Sequence, residues 1–140
     1  MFYLLKIFLG FHVGLNVFGP GLAISHVGTI IVNGNARIGE NCRIHVCTVI
    51  GTKAGTSGKT PKIGNNVYIG PGAKIFRDIE IADGIAIGAN SVVNKSFTEP
   101  NIGIAGIPAK KINGRGSEGL VPKKLLIELK KDYPELFEKT

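Results

Sequence analysis

A chain of 140 residues has room for one domain and little else. Its 44% apolar content excludes a disordered polymer, and although the net charge is +7, no stacking aromatics are interleaved with the basic residues as nucleic-acid binding would require. The cysteines, Cys42 and Cys47, lack zinc-type spacing, so no metal site is expected.

The run Met1 to Leu9 is apolar but is interrupted by Lys6 and followed by Gly10, which leaves it too short to span a bilayer. No small-residue cleavage site comes after it, so it does not read as a signal peptide. Residues 1–18 are expected to form an apolar cap, a short helix or strand packed on the open end of the main domain or on a neighbouring subunit. Peripheral contact with a membrane is the alternative use.

Beyond this cap an aliphatic residue recurs every sixth position: Val32, Ile38, Ile44, Ile50, then Ile63, Ile69, Ile75, Ile81, Ile87 and Val93. Four places later come Ala36, Cys42, Thr48, Val67, Ala73, Ile79, Ile85 and Ser91, mostly small. A six-residue period is that of a parallel β-helix, in which each hexad is one short strand with both residues turned inward. Three hexads close a coil of about eighteen residues, so Ile69 and Ile87 should stack as neighbouring strands. Gly39, Asn41, Gly64, Asn65, Gly72, Gly84 and Asn90 suit corners that need a positive φ. The hexads between His26 and Val93 make about four coils, and residues 19–112 are read as this domain. Cys42 takes an inward place and Cys47 an outward one, so no disulfide joins them.

Between Ile50 and Ile63 the step is thirteen residues, one more than two hexads. Residues 52–62 are therefore read as an extruded polar loop over a site, with Lys53 and Lys59 available to an acceptor. The loop lacks Gly-x-x-x-x-Gly-Lys-Ser/Thr spacing, which excludes a nucleotide hydrolase. Residues 113–140 are read as a basic tail with a short α-helix that begins at Pro122, aligns Leu125, Leu126 and Leu129 on one face, and stops at Pro134.

Counting back six from Val32 reaches His26, so an expected aliphatic place carries an imidazole, a group that titrates near neutrality. His45 lies one coil later and one place over, and is a candidate assistant.

The hexads, the break after Ile50 and the run Ala105-Gly106-Ile107-Pro108-Ala109-Lys110 together resemble the hexapeptide-repeat acyltransferases. The run Gly21-Leu22-Ala23-Ile24-Ser25-His26 is similar to their serine acetyltransferase branch. The resemblance implies an all-β fold, a left-handed parallel β-helix, and a homotrimer with active sites between subunits. It implies acetyl-CoA as co-substrate, with His26 as general base and Gly70, Pro71 and Ala89 along the cofactor. Lys110 and Lys111 would meet the cofactor's phosphates.

Residues that hold an amino acid in that branch are missing: its two aspartates are replaced by Ser25 and Phe11, and the loop reads Lys59-Thr60-Pro61-Lys62 without a histidine. The expected acceptor is therefore a saccharide hydroxyl, free or lipid-linked, in surface-polysaccharide synthesis. A serine-type amino-acid acetyltransferase and a non-catalytic binding module are the alternatives. The expected location is the cytoplasm or the inner face of the cell membrane.

Overall fold

The protein is represented by a computed structural model that describes residues 2–138. In chain order the elements are α1 (Phe2–Leu9), β1 (Phe11–Val13), β2 (Ala23–Ile24), β3 (Ile30–Val32), β4 (Arg37–Ile38), β5 (Arg43–Ile44), β6 (Thr48–Gly51) and β7 (Lys62–Ile63). Next come β8 (Tyr68–Ile69), β9 (Lys74–Phe76), β10 (Glu80–Ile81), β11 (Ala86–Ile87), β12 (Val92–Val93), β13 (Gly103–Gly106), β14 (Ala109–Asn113) and α2 (Lys123–Asp132).

Three sheets share these strands. Sheet I has the order β1-β3-β6-β9-β12, sheet II β4-β7-β10, and sheet III β2-β5-β8-β11-β13-β14. Every pairing is parallel except β13 with β14. From β2 to β12 the chain visits III, I and II in unbroken rotation. Bridges from Phe18 to Ile38 and from Ile81 to Phe97 extend the rotation at both ends. Sheet I has five strands, so the stack is one layer deeper than the hexads suggest. The extra layer starts at β1, upstream of Gly19, where the aliphatic period is not legible.

All ten residues of the aliphatic series are buried, none more than 5% exposed, and the eight residues four places later are buried with them. Burying an isoleucine contributes about 1.5–3 kcal/mol, so this column is the main source of stability. Ile69 and Ile87 are ladder partners, as are Ile44 and Ile69.

The break resolves differently from its count. Paired residues are 25 apart across it, as from Arg37 to Lys62, but 18 apart below it, as from Asn65 to Asp83. The step from Ile50 to Ile63 is thus one hexad plus seven extruded residues, not two hexads and one. The extruded segment leaves the edge between sheets I and II.

The corner column also differs in part. Asn41, Gly72, Gly84 and Asn90 have positive φ, but Asn66 (φ 55) does so in place of Asn65. Asn65 instead accepts the Glu40 N–H at 2.8 Å through its side chain. A Cβ on Gly39 would lie 2.2 Å from that Asn65 oxygen and 2.7 Å from the Gly64 carbonyl carbon. Close approach of successive coils, not backbone conformation, is what requires glycine there.

Cys42 is buried and Cys47 exposed, and both are free thiols. Burial pushes the Cys42 thiol up from its ordinary 9.0 to about 11, with Asp83 adding to the rise. The neutral thiol is the form the fold favours, so its contribution is fully present below about pH 9.0 and is lost as pH rises through about 11. At pH 8 a thiol reagent is expected to label Cys47 in the native protein and Cys42 only after unfolding. Urea titrations between pH 8 and 11 should show an alkaline loss of stability that Cys42→Ala reduces.

At the N-terminus α1 leaves Leu4, Leu5, Ile7 and Phe8 exposed. Among the described residues no helix is long and apolar enough to cross a membrane. Helix α2 forms after Pro122 as expected, but the side chains of Leu125 and Leu126 lie outside the described residues.

Candidate active site

The edge where the chain passes from sheet III to sheet I gathers most of the expected site. Cys47 N–H donates to the Thr29 carbonyl at 2.6 Å, Gly72 N–H to Val46 at 3.0 Å, and Asn90 N–H to Pro71 at 2.9 Å. These bonds stack four corners, which carry His26, His45, Gly70 with Pro71, and Ala89. A Cβ on Gly70 would lie 2.8 Å from the Ala89 nitrogen, so these two corners are in close backbone contact. Lys74 Nζ bonds the Cys47 and Gly72 carbonyls and ties two corners together.

His26 lies exposed on this edge, with no hydrogen-bond partner among the described residues. Its place is not the aliphatic one that counting assigns. Ile24 pairs with Ile44 and Val32 with Ile50, so a corner that takes six residues in the next coil takes eight here. Ile24 holds the strand position, and His26 belongs to a corner longer by two residues. A longer corner can project its side chains further from the stack.

His45 lies in the next corner of the same edge. Its Nδ1 lies 3.0 Å from the Ile69 carbonyl oxygen, and its ring meets Tyr68 edge-on with centroids 5.1 Å apart. A carbonyl only accepts, so Nδ1 carries the proton and Nε2 keeps a lone pair. The edge thus holds two imidazoles, one projecting and one oriented.

The closing run forms the β13–β14 hairpin, which caps sheet III and sets Lys110 opposite Ala105. Ala105 in turn covers Gly88, where a Cβ would come within 2.8 Å of its own. Lys110 therefore stands at the top of the same edge, exposed. Lys111 is tied to Glu99 at 2.6 Å, an ion pair with both side chains about half exposed and worth little to stability. Lys53 and Lys59 are exposed on the extruded loop, which is rooted at the edge between sheets I and II, whereas His26 belongs to the corner between sheets III and I.

Arg43 is a site residue that the hexad pattern does not single out. Its Nε donates to Ser25 Oγ at 2.8 Å and its Nη1 to the Leu120 carbonyl at 3.2 Å. Arg43's ladder partner in the coil before is Ala23, 20 residues back because of the lengthened corner, and Ser25 lies two places further along the same side, a register that the hexad count does not supply. Hollows of about 500 and 800 Å³ lie elsewhere, on sheet II and at the corner beside Asn66, and hold none of the expected site residues. Among the described residues no cluster of three or more His, Cys, Asp or Glu could hold a metal ion.

Residues 60–95 match the family described as bacterial transferase hexapeptide (six repeats). The serine acetyltransferase of Salmonella typhimurium is 38% identical over 101 residues, 71% of this chain and 37% of that protein. That of Synechococcus elongatus is 33% identical over 99 residues, 70% of this chain and 40% of that protein. Among solved structures, the serine acetyltransferase from Brucella abortus in complex with coenzyme A superposes with a TM-score of 0.64 at 34% identity, covering 76% of this chain and 41% of that one. The chain thus spans less than half the length of these relatives.

These likenesses overturn the expectation of a saccharide acceptor. It rested on three replaced residues, whereas the similarity to proteins named serine acetyltransferases extends over about a hundred positions at 33–38% identity. The repeats and the three rotating parallel sheets agree with the matched family, and the repeat region is that of the hexapeptide-repeat transferases.

Proposed function

We propose that this chain is the acetyl-transfer domain of an acetyl-CoA-dependent O-acetyltransferase whose acceptor is the hydroxyl of a small amino acid, with serine the first to test. The observation that carries it is the likeness to serine acetyltransferases at 33–38% identity over some 70% of the chain. In this reading the three-sheet stack is a left-handed β-helix, as the resemblance implies.

The acceptor oxygen attacks the thioester carbonyl carbon. A C–O bond forms and the C–S bond breaks. His26 takes the hydroxyl proton and returns it to the departing thiolate, so no metal or redox partner is needed. The thioester is already activated, and orienting the two substrates supplies much of the remaining acceleration.

Gly70, Pro71 and Ala89 would lie along the cofactor, where the small residues of the stacked corners leave it room to approach the edge. Lys110, exposed at the head of that edge, is the cation for its phosphates; Lys111 is already engaged by Glu99. We take the working unit to be a homotrimer with sites between subunits. Support comes from the extruded loop: it is rooted at the edge between sheets I and II and not at the corner that carries His26, so a neighbour's loop is suited to cover that corner.

The test is thiol release from acetyl-CoA with L-serine as acceptor. Serine-dependent release with formation of the O-acetyl ester is the expected result. Coenzyme A binding without turnover on any hydroxyl amino acid would overturn the proposal.

A further inference from the structure

Arg43 lies on the outer face of sheet III, one coil from the corner that carries His26. Its Nε is bonded to the side chain of Ser25, the residue immediately before that histidine. Its other contact among the described residues is the Leu120 carbonyl. Both partners are neutral acceptors, so the guanidinium retains its full positive charge. Two of its five N–H donors are committed by these contacts, and the rest of the planar fork is available to a ligand.

Beside it runs a groove of about 340 Å³, whose lining includes Tyr68, Ala86, Ile112 and Leu120 together with one residue of each charge, Arg115 and Glu118. Arg43's ladder partner Tyr68 and its hydrogen-bond partner Leu120 are both walls of that groove. Tyr68 also carries the edge contact to His45, so the groove borders the histidine edge.

A guanidinium tied to the residue before His26 repels an ammonium and attracts a carboxylate, which it can grip bidentately. We propose that Arg43 determines acceptor specificity by binding the acceptor's carboxylate, so that the enzyme reads a hydroxy acid through its anionic end and not through its amino group. This rests on the amino-acid acetyltransferase reading above and sharpens it.

The experiment compares three acceptors with the wild-type chain and with Arg43→Gln. L-Serine has both charged groups, glycerate only the carboxylate, and serinamide only the ammonium. In the wild type, glycerate is expected to be turned over, and serinamide to fall at least tenfold below serine in kcat/KM. Arg43→Gln should raise KM for serine and glycerate at least tenfold and improve the use of serinamide, whose ammonium is no longer repelled. Serinamide used as well as serine by the wild type would overturn the proposal whatever the variant does. An equal loss on all three acceptors in Arg43→Gln would reduce Arg43 to a structural tie between Ser25 and Leu120. No turnover of any of the three by the wild type would overturn the amino-acid reading itself, a result distinct from the other two.

Discussion

His26→Ala is expected to lower turnover by about 10²–10⁴-fold, the contribution of a positioned general base, while coenzyme A still binds. The side chain is exposed on a lengthened corner, so its removal should change stability by no more than about 0.5 kcal/mol. Lost activity with an unchanged unfolding midpoint then reports chemistry and not folding. His45→Ala is the informative companion. Its ring is held by the Ile69 carbonyl and Tyr68, and its loss should cost less than that of His26 if it only assists. The reverse order, with His26→Ala active and His45→Ala dead, would move the base to His45 Nε2. Thiol release at saturating acetyl-CoA, with cofactor binding measured separately, distinguishes the two results.

Ile69→Ala is expected to destabilise the fold by about 2–5 kcal/mol. Ile69 is fully buried and pairs with Ile44 in the coil before and Ile87 in the coil after, so truncation opens a cavity between three layers at once. Each coil is stable only through its neighbours, and a defect in the middle of the stack weakens both interfaces. For a domain of this size a change of that order corresponds to a fall in Tm of roughly 10 °C. Ile31→Ala is the control: Ile31 is 41% exposed on the outer side of sheet I, and its truncation should cost well under half as much. Equal losses at the two positions, measured by urea titration, would mean that the alternate residues do not divide into inward and outward sets.

The repeat itself was legible because a coil of three six-residue strands forces a strict inward period. Every residue of the aliphatic series from Val32 to Val93 is buried. The first coil was not, since Phe11 to Leu22 carries Phe11, Val17 and Phe18 instead of a regular Ile or Val. Only β1 pairing with β3, and Phe18 bridging Ile38, bring it into the stack. His26 drew notice through a register that does not hold: the corner before β3 is longer by two residues, and a corner can absorb such an insertion without disturbing the core.

Sequence by itself determined what is local and periodic: the hexads, their buried faces and the closing run that carries the family resemblance. What it could not determine is which outward residues share an edge, because that depends on how many residues each corner consumes. Only the tertiary structure rooted the extruded loop at a different edge from His26, and only it joined Arg43 to Ser25. The physical reason is the same in both cases. Inward residues are selected one by one for burial, whereas outward neighbours are made by coil register, and a single inserted or deleted corner residue changes who meets whom.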